Sequence, residues 1–285
     1  MTPRRATEAD IPAIQAFLRA HIQTSMFPLA NLEAHGLGSD APRGTTLWLF
    51  EDGPRLTGLY AQTNEGMGMP QLPGATPDHA KALTEEGAGR NLIGMLGATA
   101  QVRTLQTAWG LQDQPIRHDA DEPGYALELS DLVVPSAPDG TSIRPVREAD
   151  LPVVLPWRAA YHIETLGTPE EVAWSAAERD LQHYLVAGHH RVLVDGYAPL
   201  AMTGFNATLA DVVQIGGVYT PPARRGKGLA RRVLALHLQE ARSEGVTRAV
   251  LFAASRGAAR AYEAVGFRYV EPFTMLLFET GEGAA

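Results

Sequence analysis

The chain has 285 residues, 45% hydrophobic and 20% charged, the balance of a folded globular protein with room for one large domain or two of ordinary size. Its 24 Lys and Arg stand against 32 Asp and Glu, a formal charge of −8 that disfavours general nucleic-acid binding. It has no cysteine, which excludes disulfides, thiolate metal sites and a cysteine-linked acyl intermediate.

An internal repeat opens the chain. Arg4, Glu8, Ala9, Asp10 and Pro12 recur as Arg144, Glu148, Ala149, Asp150 and Pro152, an offset of 140 residues that is close to half the length. Each copy reads as a short strand, an acidic cap at Asp10 or Asp150, and a helix opened by proline. Residues 45–50 and 57–62 read as a hairpin around Asp52 and Gly53. Residues 64–77, rich in Gly, Met and Pro, take no assignment, and a helix is expected over 88–109. Residues 134–140, with Pro135, Pro138 and Gly140, read as a turn-rich linker. This divides the chain into 1–135, a linker at 136–140, and 141–285.

In the second half, helices are expected over 151–166 and 169–186, then strands over 192–194, 200–208 and 212–220. A helix over 226–244, a strand over 248–253, a helix over 256–265 and strands over 266–278 follow. Strands interleaved with helices in this way give an α/β (α+β) sheet with helices against it.

The stretch IGGVYTPPARRGKGLARRV, residues 215–233, carries the chemistry. An apolar strand runs into a proline turn. Arg224, Arg225, Lys227, Arg231 and Arg232 then crowd into nine residues around Gly226 and Gly228, where a helix begins. A helix N-terminus already bears about half a positive charge, so each cation there is disfavoured by about 0.3–1 kcal/mol. Free first-turn N–H groups, glycines without side chains and clustered cations describe a seat for an anion, most naturally a phosphate. A P-loop needs G-x-x-x-x-G-K followed by Ser or Thr, which does not occur. A dinucleotide loop needs a third glycine where Arg231 stands, and an acid after a strand that here ends Ala249-Val250-Leu251-Phe252-Ala253.

Arg225-Gly226-Lys227-Gly228-Leu229-Ala230 does match the pyrophosphate loop of the GNAT acyltransferase superfamily, (Gln or Arg)-x-x-Gly-x-(Gly or Ala). Downstream, SRGAARAYEAVGF resembles the family's N-x-x-A-x-x-x-Y-x-x-x-G-F segment, with Ala258, Tyr262, Gly266 and Phe267 in place and Ser255 at the asparagine position. The second half therefore resembles a GNAT domain from about Thr141 to Phe278. The first half, with the same opening but no such loop, resembles the degenerate half of a tandem GNAT protein. That resemblance implies two tandem domains, each a mixed, mostly antiparallel sheet flanked by helices.

It further implies acetyl-CoA, or a related acyl-CoA, as donor co-substrate and an amine as acceptor, a small molecule or α-amine being favoured. Backbone amides of Arg225, Gly226, Lys227, Gly228, Leu229 and Ala230 would bind the pyrophosphate, with Arg224, Lys227 and Arg231 screening its charge. Val218, Tyr219 and Thr220 would pair with the pantetheine, and Ser255 would stand where the family's asparagine meets it. Gly216-Gly217 suggests a bulge or a close backbone approach. Tyr262 matches the position that protonates the departing thiolate, or it packs as a core aromatic. For a general base the strand before the loop offers Asp211, at its far start, and the uncharged Gln214, with His162 and Glu164 as alternatives against their reading as surface residues; Trp157, Tyr161 and Glu164 share one helix face. A low-pKa amine or a water-relayed base fits this thin inventory. His189 and His190 read as loop residues, and no metal spacing is present. A non-catalytic acyl-CoA-binding or regulatory module is the alternative function, and a longer or aminoacyl group is the alternative cargo. With no eighteen-residue apolar run and acids early in MTPRRATEADIP, the expectation is a cytoplasmic protein with no membrane partner and no nucleic-acid partner. Oligomeric state is silent.

Overall fold

The computed structural model describes residues 2–136 and 140–279, so the centre of the expected linker, 137–139, lies outside the described residues. In chain order the elements are β1 (Arg4–Arg5), α1 (Ile11–Ala20), α2 (Ile22–His35), β2 (Thr45–Asp52), β3 (Arg55–Thr63), β4 (Met67–Gln71), α3 (Pro77–Glu85), β5 (Gly94–Ala98), α4 (Thr99–Ala108) and β6 (Ile116–Glu128). They continue with β7 (Thr141–Pro145), α5 (Leu151–Leu166), α6 (Glu170–Ala187), β8 (His190–Asp195), β9 (Ala198–Thr208), β10 (Val212–Tyr219), α7 (Leu229–Ser243), β11 (Arg248–Phe252), α8 (Arg256–Glu263) and β12 (Arg268–Phe278). From β1 to β6 and from β7 to β12 the order of strands and helices is the same, so the repeat read at the two openings extends over both halves.

The chain folds into two compact units: residues up to Glu122 together with those from Glu271 onward, and Pro123–Val270. The halves expected from the repeat, 1–135 and 141–285, differ from these units by one segment each. In the first unit the strands run β1-β2-β3-β4-β5 and close with residues 271–278 of β12; in the second, β7-β8-β9-β10-β11 close with residues 123–128 of β6. Each half thus hands its last strand to the other unit's sheet. β12 lies antiparallel to β5, with Phe273 opposite Ala98 and Leu277 opposite Gly94. β6 lies antiparallel to β11, with Gly124 opposite Phe252 and Glu128 opposite Arg248. The cores follow the exchange. Leu276 and Phe278 are buried with Trp48, Phe50, Tyr60 and Met95, while Tyr125, Leu127 and Leu129 are buried with Leu234, Leu251 and Phe267. Each such aliphatic or aromatic side chain contributes about 1.5–3 kcal/mol on burial.

The repeated opening has one physical cause. Arg4 makes a fork to both oxygens of Asp10 at 2.8 and 2.7 Å, and Arg144 does the same to Asp150 at 2.6 and 2.7 Å. Each Asp also accepts the backbone N–H three residues earlier, from Thr7 at 2.7 Å and from Arg147 at 2.9 Å. The two aspartates therefore do not cap α1 and α5 with their side chains; they fold the strand-to-helix turn back onto itself.

The hairpin over 45–62 is found as β2 and β3, with Asp52 opposite Arg55. The expected helix over 88–109 is instead β5 followed by α4. The run Gly94-Met95-Leu96-Gly97-Ala98 is too short and too evenly apolar for periodicity to separate strand from helix. A side chain at Gly94 would collide with the Leu276 carbonyl of the neighbouring strand, an approach that only a sheet explains. Residues 64–77, unassigned from sequence, contain β4. Among the described residues no helix is long and apolar enough to cross a membrane.

Because β6 completes the second sheet, a fragment of residues 123–270 is expected to unfold in one cooperative thermal transition by circular dichroism. A fragment of residues 141–285, which lacks β6 beside β11, is expected to show none. Equal cooperativity in the two fragments would contradict the exchange.

Candidate functional site

β10 organises the second unit. It pairs with β11 in parallel over Val212–Gln214 only and then continues five residues further, to Tyr219. Against β9 its register slips between Gly216 and Tyr219, where three steps on β10 match two on β9, from Gly204 to Met202. This is a bulge, and it falls on the glycine pair singled out in the sequence. Gly217 has φ +61, and a Cβ at Gly216 would collide with the Asn206 side chain. The bulge calls for glycine at both positions, Gly216 for space and Gly217 for its left-handed backbone.

Beyond Tyr219 the chain makes one tight turn over Pro222–Arg224 and reaches Gly226 and Gly228, with φ +78 and +76, before α7 starts at Leu229. Left-handed backbone at both glycines aims the loop at the helix start. The first-turn amides of α7 have no partner within the helix. Arg225, Gly226, Lys227 and Arg231 are exposed around them. Arg232 is turned away, its Nη1 donating to the Pro135 carbonyl at 2.7 Å. The loop thus has the chemistry of an anion seat, one in which Arg232 takes no part.

Glu164, at the end of α5, is tied to this loop. Arg225 Nη2 donates to Glu164 Oε2 at 2.6 Å, Tyr219 Oη donates to Glu164 Oε1 at 3.1 Å, and Arg225 Nε donates to the Thr220 carbonyl at 3.0 Å. The Arg225 guanidinium also lies over the Tyr219 ring, 5.5 Å from its centre. The Thr220 hydroxyl is buried without a hydrogen-bond partner. Ser255 caps α8, its Oγ accepting the Ala258 N–H at 3.1 Å. Tyr262 is 8% exposed and belongs to the buried cluster of Ile215, Leu234, Val265 and Phe267, against which Val218 is also packed. The structure therefore gathers Glu164, Tyr219, Thr220 and Arg225 at one point, and Tyr262 with Val218 at the flank of the same strand.

A second group lies behind the bulge and was not found from sequence. Arg158, in the middle of the apolar helix α5, donates Nε to Asp180 Oδ2 at 2.6 Å, and its Nη2 meets the same oxygen at 2.5 Å. Its guanidinium lies over Tyr161 at 4.5 Å and Tyr184 at 5.5 Å. His162, expected as a base or a surface residue, is buried, with Nε2 2.8 Å from Asp180 Oδ2 and Nδ1 3.3 Å from the Thr168 hydroxyl. His190, expected in a loop, instead opens β8; it is 3% exposed and stacks on Tyr184 with ring centres 3.3 Å apart. Two histidines in sequence gave no hint that one would point inward, whereas a lone arginine within LPVVLPWRAAY was a usable signal. Trp157 and Tyr161 pack on the same core.

Burial alone would raise the Asp180 carboxyl, but the hydrogen bond from His162 and the charge of Arg158 hold it below its usual range. Burial, then Arg158, pushes the His190 imidazole down to about 3, and burial pushes His237 well below its usual value.

The sheet, the bulge and the loop set a cationic glycine loop at the end of a splayed strand. A model of the acetyltransferase (GNAT) family matches residues 153–267, and these residues are a GNAT-family domain. A Drosophila protein of known structure superposes with a TM-score of 0.63 at 14% identity, covering 97% of this chain and 98% of its own. An acetyltransferase from the GNAT family of Colwellia psychrerythraea gives 0.53 at 14% identity over 98% and 100%. A tandem GNAT protein from the clavulanic acid biosynthesis pathway gives 0.52 at 14% identity over 96% of each chain. At these identities the likeness is one of fold, and the fold is that of a tandem GNAT protein. No curated protein matches the chain. The GNAT fold supports acyl transfer from an acyl-CoA to an acceptor.

His190 and His237 are neutral in the fold and titrate near 6.5 once unfolded. The unfolded chain then binds more protons below that value, so stability falls as pH drops from about 6.5 toward about 3. Thermal unfolding between pH 7 and pH 4 is expected to show this fall, with a shallower slope in His190→Gln. Parallel slopes would refute the assignment.

Proposed function

We propose that the protein is an acetyl-CoA-dependent N-acetyltransferase, its second unit moving an acetyl group directly to an amine. The observation that carries this reading is the position of the cationic glycine loop at the end of the strand that leaves its partner β11 after Gln214. On this reading the amides of Arg225 to Ala230 hold the pyrophosphate, with Arg224, Lys227 and Arg231 around it. The backbone of Val218, Tyr219 and Thr220 pairs with the pantetheine and offers an N–H to the thioester carbonyl, whose developing charge it stabilises. Ser255, already committed to capping α8, contributes position more than a direct bond.

The acceptor nitrogen attacks the thioester carbon, the C–S bond breaks, and the sulfur leaves as a thiolate that takes the phenolic proton of Tyr262. A phenol near pKa 10 is a modest acid toward a thiol near 8.5, so this residue speeds the step without being indispensable. Both oxygens of Glu164 are engaged by Tyr219 and Arg225, so we assign it to holding the strand end against the loop. The amine proton then passes to water, which suits an acceptor of low pKa. The first unit lacks the cationic loop. β4 ends at Gln71, whose Oε1 accepts from Thr24 at 2.9 Å and Ser25 at 2.8 Å, and Leu72-Pro73-Gly74-Ala75-Thr76 follows without a cation.

Calorimetry is expected to find one CoA per chain, with affinity about tenfold lower in Lys227→Ala/Arg231→Ala and falling with salt. Two equivalent sites, or an affinity indifferent to the loop, would overturn the reading; tight binding with no CoA release from any amine would make the unit a binding module.

Tyr262→Phe is expected to lower kcat by about 10- to 100-fold with CoA affinity unchanged. Glu164→Gln breaks a pair that is half exposed on both sides, so the melting temperature is expected to move by no more than a few degrees while CoA affinity drops. An acid limb in the pH–rate profile that vanishes in Glu164→Gln would return the base role to that residue.

A further inference from the structure

Three polar atoms from three elements converge on the open side of Gly217. A Cβ built there would stand 3.7 Å from Arg158 Nη1, 3.8 Å from His190 Nε2 and 3.9 Å from Tyr184 Oη. A methyl group there would make only ordinary van der Waals contact with all three. Arg158, Tyr184 and His190 are 9, 6 and 3% exposed, so the groups facing it are almost fully desolvated. Neither ring nitrogen of His190 has a hydrogen-bond partner. A side chain at Gly204, on the adjacent strand, would collide with the same ring, so the glycine there leaves room for it. A buried imidazole with both nitrogens unsatisfied is costly to keep.

The cluster holds more donors than acceptors. Arg158 turns Nε and Nη2 to one oxygen of Asp180 and leaves Nη1 toward Gly217. Asp180 also takes His162. The groups acting on His190 are the cationic or basic Arg158, His189 and His183, opposed by the Asp180 carboxylate, and His237 lies near enough to feel it. Asp180 Oδ2, the cluster's negatively charged acceptor, is taken by Arg158 and His162, and no hydrogen-bond acceptor meets the His190 ring.

We propose that Arg158, Tyr184 and His190 bind the carboxylate of the acceptor, one oxygen filling the space before Gly217, so that the amines acetylated are amino acids as a class. The inference rests on the reading of β10 and its loop as the acetyl-transfer site. Gly217 directly precedes the segment 218–220 that takes the thioester on that reading, so a carboxylate held there keeps its own amine within a few bonds of the reacting carbon. The anion would also give the unsatisfied His190 ring an acceptor for its N–H.

The test is CoA release at saturating acetyl-CoA with matched pairs, such as phenylalanine against phenethylamine and alanine against ethylamine, together with the amino-acid amides. The carboxylated member of each pair is expected to have a kcat/KM about tenfold or more above both its amine and its amide. Arg158→Lys and His190→Gln are expected to collapse that ratio toward one, with calorimetric CoA binding retained. If Arg158→Lys no longer folds, the ratio in His190→Gln decides. Equal kcat/KM for acids and amines, a ratio unchanged in His190→Gln, or no release with any amino acid while acetyl-CoA still binds would each overturn the inference. Failure of the wild-type protein to bind acetyl-CoA would instead remove the underlying reading.

Discussion

Much of the second unit depends on one limit: β10 and β11 are paired for three residues and no more. A strand supported on both sides would be a closed element of the core. This one is held by β9 along its length, through a bulge, and is released by β11 halfway. The released end must still be fixed in space, and the carboxylate of Glu164 does this, accepting from Tyr219 on the strand and Arg225 in the loop. Such a half-exposed pair adds little to global stability. Its effect is local: α5, the end of β10 and the start of the glycine loop cannot move independently while it is intact.

The two arginine environments of this unit do opposite things. Around the loop, cations stand exposed at a helix N-terminus, where the helix dipole repels them. A residue type in a place that disfavours it reports a demand other than folding. Arg158 is in the reverse position, buried and held by Asp180, where removing either partner would leave an uncompensated charge in the interior. It therefore fixes α5 to α6 behind the bulge whatever else it binds. Arg232 belongs to neither set, since a carbonyl claims it.

What the sequence revealed and what it hid divide along the range of the interaction. The loop was legible because its parts are contiguous: two glycines, clustered cations and a helix start lie within a dozen residues. The repeat was legible for a similar reason, as Arg4–Asp10 and Arg144–Asp150 are forks closed across six residues. The Gly216-Gly217 bulge announced itself because a glycine pair weakens a strand unless it is needed. The strand exchange left no trace, since β6 and β12 each look like an ordinary final strand of their own half. His190 was hidden for another reason. Its burial depends on Gly204 of another strand and on Tyr184 of α6, neither of them adjacent to it in sequence.

The comparison between the units sets fold apart from chemistry. Both contain the same order of strands and helices, and both have a short parallel pair, β4 with β5 over Met67–Gly68 in the first. The difference lies in what meets the end of the central strand. In the first unit Gln71 ends it and turns its side chain onto α2, where two hydroxyls satisfy the carbonyl. In the second unit the strand ends at Tyr219, next to a buried Thr220 hydroxyl with no partner and a loop of exposed cations. Satisfied polar groups at a strand end make a finished core; unsatisfied ones with charge around them make a place for something else. The two units therefore share one architecture, and a handful of residues after the fourth strand separates them.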